Sequence, residues 1–259
     1  MAGSGTEKEM TFWDHLEELR GTIFRSLLAV CLFSVLGYIF KRLLFDVVLL
    51  PASQDFFIYR LLGWTFDLEL INVEVSAQFF VHLQAACGAG LILAFPFIIW
   101  ELWKFIAPAL YKKEKKAVRT AFLMASGLFY MGVAVGYFLV LPACVQFFLN
   151  YSVSDQISNT ITIGSYMSMF TSTVLMIGVA FEFPTVIWML SKMGILTREQ
   201  LRKGRRFALV IVLVIAAIVT PADPLSMMIV AAPLYLLYEI AILLCSKSAE
   251  NPEESGSDA

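Results

Sequence analysis

The chain has 259 residues, of which 59% are hydrophobic and only 15% charged, and its mean hydropathy is +0.77. Soluble domains run nearer half apolar and about a quarter charged, so this composition places the chain in a membrane. The net charge of −2 excludes little, because the charges are clustered. The first 20 residues are too polar for a cleaved signal peptide, and residues 1–10 are expected as a disordered tail. Residues 11–245 form one membrane domain, and residues 246–259 ("SKSAENPEESGSDA") a disordered acidic tail. A bilayer core of roughly 30 Å needs about 20 apolar residues per helix. In chain order the candidate spans are Gly21–Phe40, Ser76–Trp100, Thr120–Leu141, Ser165–Leu190, Phe207–Thr220 and Leu225–Cys245. The class expected is an all-α integral membrane protein with six transmembrane helices. The segment Leu43–Val75 has room for short helices or a hairpin outside the membrane. The fifth span has thirteen residues between Arg206 and Thr220, and at 1.5 Å per residue it covers roughly 20 Å. It turns into the sixth at "TPADP" as a tight helical hairpin. Cys31, Cys87, Cys144 and Cys245 show no CxxC spacing and read as small apolar filler.

Charge orients the spans. Lys104, Lys112, Lys113, Lys115, Lys116 and Arg119 lie between spans two and three, and Lys192, Arg198, Arg202, Lys203, Arg205 and Arg206 between spans four and five. Of the 19 lysines and arginines only Lys41, Arg42 and Arg60 fall on the opposite side. The positive-inside rule puts both termini in the cytoplasm.

Polar residues within the spans are few. Glu182 in "VAFEFPTV" is the acid deep within a span, where ionisation is costly, so it should face protein or water. Proton relay, contact with a partner and a hydrogen bond to a neighbouring helix are all open to it. Pro184, two residues on, should bend the helix and free a carbonyl at the same depth. His82 reads as an interhelical hydrogen-bonder, Gly132 and Gly136 as a GxxxG pair for close helix approach, and Glu239 as a structural residue near the inner end of the last span. The short fifth span should leave its outer end below the membrane surface, drawing Asp223 inward.

The basic side carries acids that need a reason. In "TFWDHLEELRGTIFRSLL" the apolar positions Phe12, Leu16, Leu19 and Ile23 recur at helical spacing, with Asp14 and Glu18 on the other face. In "PFIIWELWKFIAPALYKKEKK" Glu114 sits inside a basic run. Glu18 and Glu114 make two carboxylates on one membrane face, flanked by Trp100, Trp103, Phe105 and Tyr111. Such a pair suits a ligand carrying guanidinium groups, which bind carboxylates bidentately and stack on rings. Enzyme motifs are lacking: there is no HExxH, no GxSxG and no glycine-rich phosphate loop.

Six motifs in order carry a resemblance: "HLEELR" (15–20), "FIAPALYKKEKK" (105–116), "FEFP" (181–184), "GILTREQLRKGRR" (194–206), "TPADPLS" (220–226) and "PLYLLYE" (233–239). From about Phe12 to Cys245 the sequence resembles the TatC family, the receptor subunit of the twin-arginine protein translocase. The resemblance implies a glove-shaped, non-enzymatic bundle with short fifth and sixth helices, without cofactors, in the bacterial cytoplasmic (inner) membrane. It implies binding of twin-arginine signal peptides of folded cargo, and no binding of nucleic acid. The implied partners are single-span TatA/TatB-type subunits, further copies of the chain and the lipid bilayer, with transport driven by the proton-motive force. It places the signal-peptide site on Glu18 and Glu114, with Arg20, Phe105, Pro108, Leu110 and Tyr111 at the matching motif positions. Glu182 matches the family's membrane-embedded acid, Pro51 its proline in the first external segment, and the fifth span its TatB-contacting helix. Thr22 stands where a second basic residue is frequent, Lys115 replaces a common arginine, and Met227 stands where a polar glutamine is often found. An ion-coupled solute transporter using Glu182 and an intramembrane enzyme remain open beside it, although neither an internal repeat nor a paired nucleophile and base supports them.

Overall fold

The computed structural model describes residues 12–63, 68–110, 115–152, 154, 160–192, 195–219 and 224–245. Helix α1 (Phe12–Ile39) kinks at Phe40 into α2 (Lys41–Leu49), and a 3₁₀ turn (Leu50–Ala52) and α3 (Phe57–Leu62) follow. Strand β1 (Leu70–Ile71) leads to α4 (Ala77–Leu110). Helix α5 (Lys115–Val135) continues through a π turn (Gly136–Val140) into α6 (Leu141–Asn150). Strand β2 (Ile161–Thr162), α7 (Ile163–Ala180), α8 (Phe183–Lys192), α9 (Arg198–Lys203), α10 (Arg205–Val219) and α11 (Pro224–Leu244) complete the chain. The external segment is therefore built of short helices, with one addition: Leu70 and Ile71 pair in parallel with Ile161 and Thr162.

Stretches 15–39, 77–105, 122–150 and 163–191 are helical, long and apolar enough to cross a membrane, and Met227–Leu243 is a shorter apolar helix. The 15 residues of α10 reach about 22 Å. Apolar runs become helices here because lipid offers the backbone no hydrogen bonds, so each segment must satisfy its own N–H and C=O groups. Two spans are interrupted where proline withholds a donor. Between α7 and α8 the helix breaks at Phe181 and Glu182, ahead of Pro184, which has no N–H to return to the Ala180 carbonyl. The π turn ends two residues before Pro142, whose missing N–H leaves the Phe138 carbonyl without its i+4 donor. The helices run further than the expected spans: α4 continues past Trp100 to Leu110, α5 starts before Thr120, and α6 ends at Asn150.

The GxxxG pair packs as expected. A Cβ at Gly132 would lie 2.7 Å from Cβ of Phe181, and one at Gly136 would lie 3.1 Å from the Val174 backbone, so α5 and α7 approach closely through these glycines. At one end of the bundle, phenols tie down the end of α2. Tyr137 donates to the Val47 carbonyl, Tyr166 to Val48 and Tyr59 to Pro51, each at 2.7 Å. Those carbonyls lie where a helix runs out of its own donors. Pro51 is buried at the head of the 3₁₀ turn. Burial pushes the Tyr59 phenol well above its ordinary range, so it remains a proton donor. His82 stacks on Tyr38 at 4.1 Å, and its Nε2 has no hydrogen-bond partner among the described residues. The interhelical hydrogen bond expected of that nitrogen is replaced by ring packing. At the other end Glu239 accepts from Arg205 at 2.7 Å and from Tyr235 at 3.3 Å, joining α11 to α10 as a structural residue.

Candidate functional site

Helix α1 packs antiparallel on α4, and the seam can be followed residue by residue. Tyr38 meets His82, Gly37 lies against Ala86, and Ser34 is in close contact with Gly90. Further along, Arg25 bonds Glu101, and His15 stacks on Phe105 with ring centroids 4.3 Å apart. This register puts Glu18 level with the end of α4 near Phe105.

The face that α1 turns inward is not simply the apolar one. Leu16 and Ile23 of the apolar face are exposed, while Thr22 is 5% exposed and Glu18 half-buried. Lipid is as apolar as leucine, so nothing drives an apolar stripe away from it, whereas hydroxyl and carboxylate groups gain by facing protein. Glu18 and Leu19 are both half-buried on the packed side of α1, next to the buried Thr22, while Glu17 and Arg20 are exposed.

The aromatic residues around this end divide their work. Trp103 is 6% exposed and belongs to the core with Phe95, Ile99 and Phe129, so it is not available as a wall for a ligand. Trp100 is half-exposed, meets Phe122 edge-on at 5.5 Å, and carries the Lys104 ammonium 5.7 Å above its ring. Phe105 is engaged by His15. Pro108 and Leu110 lie in the last turn of α4, and Tyr111, Glu114 and Asp223 fall outside the described residues.

A carboxylate that the sequence reading passed over stands at the centre. The side chain of Glu101 is 3% exposed, and both of its oxygens are bound. Arg25 Nε donates to Oε2 at 2.6 Å and Lys104 Nζ to Oε1 at 3.0 Å. The signal was present as an acid between two tryptophans in "WELW" and an arginine inside the first apolar run. Ending the second span at Trp100 hid it.

The second polar position lies at the break between α7 and α8. Oε1 of Glu182 and Oγ1 of Thr185 one turn on are buried within reach of each other, with the Phe129 backbone also beside the carboxyl, yet neither has a partner at full hydrogen-bond geometry among the described residues. Glu182 lines a groove of about 390 Å³ together with Phe183, Phe207, Ile211 and Leu234, contributed by α8, α10 and α11. On the basic side, α9 is capped by Thr197, whose hydroxyl accepts from the Gln200 amide while the Gln200 side chain accepts from Thr197 N–H. Lys203 bonds Glu199 at 2.8 Å and holds that carboxyl below its usual range. Among the described residues no cluster of three or more His, Cys, Asp or Glu side chains could hold a metal ion.

Residues 14–233 match the family model described as Sec-independent protein translocase protein (TatC). The chain is 34% identical over 254 residues to the Sec-independent protein translocase protein TatC of Blattabacterium sp. subsp. Periplaneta americana (strain BPLAN), covering 92% of this chain and 96% of the relative. It is 35% identical to that of Deinococcus radiodurans over 90% of this chain and 84% of the relative. Two crystal structures of the twin arginine translocase receptor TatC superpose with TM-scores of 0.75 and 0.78, the second solved in DDM. Both are 33% identical to the chain and cover 89% and 90% of it, and 97% and 99% of their own lengths.

Proposed function

Because the chain belongs to the TatC family of Sec-independent protein translocase proteins, we propose that it is the subunit that receives twin-arginine signal peptides. The family is one of translocase proteins, so the chain is a multi-pass membrane subunit and not an enzyme, and the solute-transporter reading goes the same way. In this proposal Glu18 and Glu114 accept the paired arginines, and Arg20, Phe105, Pro108, Leu110 and Tyr111 shape the surrounding surface. Glu182 and Asp223 serve single-span TatA/TatB-type partners within the bilayer, the chain joins further copies of itself, and the proton-motive force drives export of folded cargo. All six spans lie in the inner membrane with both termini on the cytoplasmic side.

One observation carries the reading: Glu18 is half-buried on α1 between His15, which stacks on Phe105 of α4, and the buried Thr22, at the basic end of the molecule. A carboxylate placed there among lysines and arginines suits a cationic ligand better than an anionic leaflet.

Site-specific photocrosslinking from positions next to Glu18 and Glu114 tests it, using a signal peptide with an RR pair against one with KK. Glu18→Ala, Glu114→Ala and Glu114→Lys should leave the protein inserted and weaken RR binding. A hydrogen bond to a charged group contributes about 1.5–3 kcal/mol, so affinity should fall by roughly tenfold or more. Unchanged crosslinking and affinity in these variants would remove both residues from the site.

A further inference from the structure

The seam between α1 and α4 holds Glu18 from both sides along the helix. One turn before it, His15 is stacked on Phe105. One turn after it, the buried hydroxyl of Thr22 accepts from Arg25 Nη2 at 3.4 Å, and Arg25 is held in turn by Glu101. Glu101 and Phe105 are four residues apart, so they share one face of α4. The guanidinium also lies folded back over its own helix: a Cβ at Gly21 would come within 3.0 Å of Arg25 Nη1. The order of contacts is Glu101 to Arg25, Arg25 to Thr22, and Thr22 to the turn that carries Glu18.

We infer that Arg25 and Glu101 are positioning residues for the signal-peptide site, fixing the register of α1 on α4 and thereby the place and orientation of Glu18. The inference rests on the receptor reading above. The physical reason is the solvent. Apolar contacts between helices in lipid tolerate sliding and rotation, since lipid replaces any contact that is lost. A carboxylate whose side chain is 3% exposed finds its second donor, Arg25, in one register of α1, and in any other keeps only Lys104 of its own helix. Guanidinium recognition needs that precision, because a planar fork pairs bidentately only with a carboxylate held in its plane, whereas an ammonium is a point charge that tolerates displacement. Loss of register should therefore appear as lost preference for arginine over lysine rather than as loss of all binding.

The full-length protein in lipid nanodiscs is titrated with RR and KK signal peptides. Glu101→Gln and Arg25→Gln should insert, lose about tenfold in RR affinity, as for one charged hydrogen bond, and leave KK binding unchanged. Arg25→Lys, which keeps the ion pair, should recover most of the preference. Combining Glu101→Gln with Glu18→Gln should be no weaker than Glu18→Gln alone, because the first acts through the second. Without any peptide, amide hydrogen exchange over residues 12–22 should accelerate in Glu101→Gln. Should either single variant fail to accumulate, the double Arg25→Gln/Glu101→Gln variant leaves no orphaned charge and is read in the same way. Wild-type RR preference in the neutral variants, unaltered exchange, or full additivity with Glu18→Gln would overturn the inference. Faster exchange with a Glu18→Gln variant that binds RR normally would instead overturn the receptor reading and leave the register device standing.

Discussion

Glu182→Leu should make the isolated chain more stable and less useful. In the structure Glu182 Oε1 is buried without a partner at full hydrogen-bond geometry among the described residues, beside an apolar groove of about 390 Å³. A buried polar group left unsatisfied costs about 1–3 kcal/mol. Leucine is of similar length, carries no polar atom and extends the apolar lining made by Phe183, Phe207 and Leu234. Removing the penalty should stabilise the chain by up to that amount, less what the buried Thr185 hydroxyl loses with its polar neighbour, and for a domain of this size roughly 2–4 °C accompanies each kcal/mol. The thermal midpoint in detergent should thus rise by a few degrees, while co-purification of a single-span partner and export of a folded reporter both fall. Glu182→Gln keeps hydrogen-bonding atoms and should stay close to wild type in midpoint and in assembly. Loss of export in that variant at normal protein level would assign the carboxyl a proton or charge, not only a hydrogen bond. A lower midpoint for Glu182→Leu would refute the reasoning, since it would mean that the isolated chain already satisfies the carboxyl.

Two glycines of α5 should answer alanine oppositely. Nothing lies within 4 Å of a Cβ at Gly127, so Gly127→Ala should gain about 0.5–1 kcal/mol of helix stability, whereas Gly132→Ala runs into Phe181 and should lose about 1–3 kcal/mol. Equal shifts in thermal unfolding would refute the close approach of α5 and α7. Inserting four leucines after Val214 lengthens α10 by about 6 Å. If its shortness serves partner helices, crosslinks along this span and export should drop while signal-peptide binding persists, and full export by the lengthened protein would refute that use.

Much of the architecture was legible because the bilayer simplifies the problem. A run of apolar residues in lipid has the helix as its main way of satisfying its backbone, so the apolar runs could be read off hydropathy. The break at Glu182 followed from Pro184 alone, since a missing N–H is a local property. Gly132 and Gly136 announced a close contact by spacing, although only the structure names Phe181 and Val174 as what fills it.

The candidate site was legible in part. Glu18 stood out because its charge disagreed with its surroundings, which is a statement about sequence. What α1 turns toward α4 was not legible: periodicity finds the two faces of a helix but not which one meets protein, and lipid reverses the soluble rule by leaving Leu16 and Ile23 outside and taking Thr22 in. Trp103 read as a wall for a ligand and is core, because its burial depends on α5 and α8 arriving from elsewhere in the chain. The Arg25–Glu101 pair joins positions 76 residues apart. Each residue taken singly is a charge near a membrane surface. Lys104 reaches Glu101 along α4 itself, but only the crossing of α1 and α4 brings Arg25 to the same carboxylate, and a contact set by two helix axes has no counterpart in the order of residues along either one.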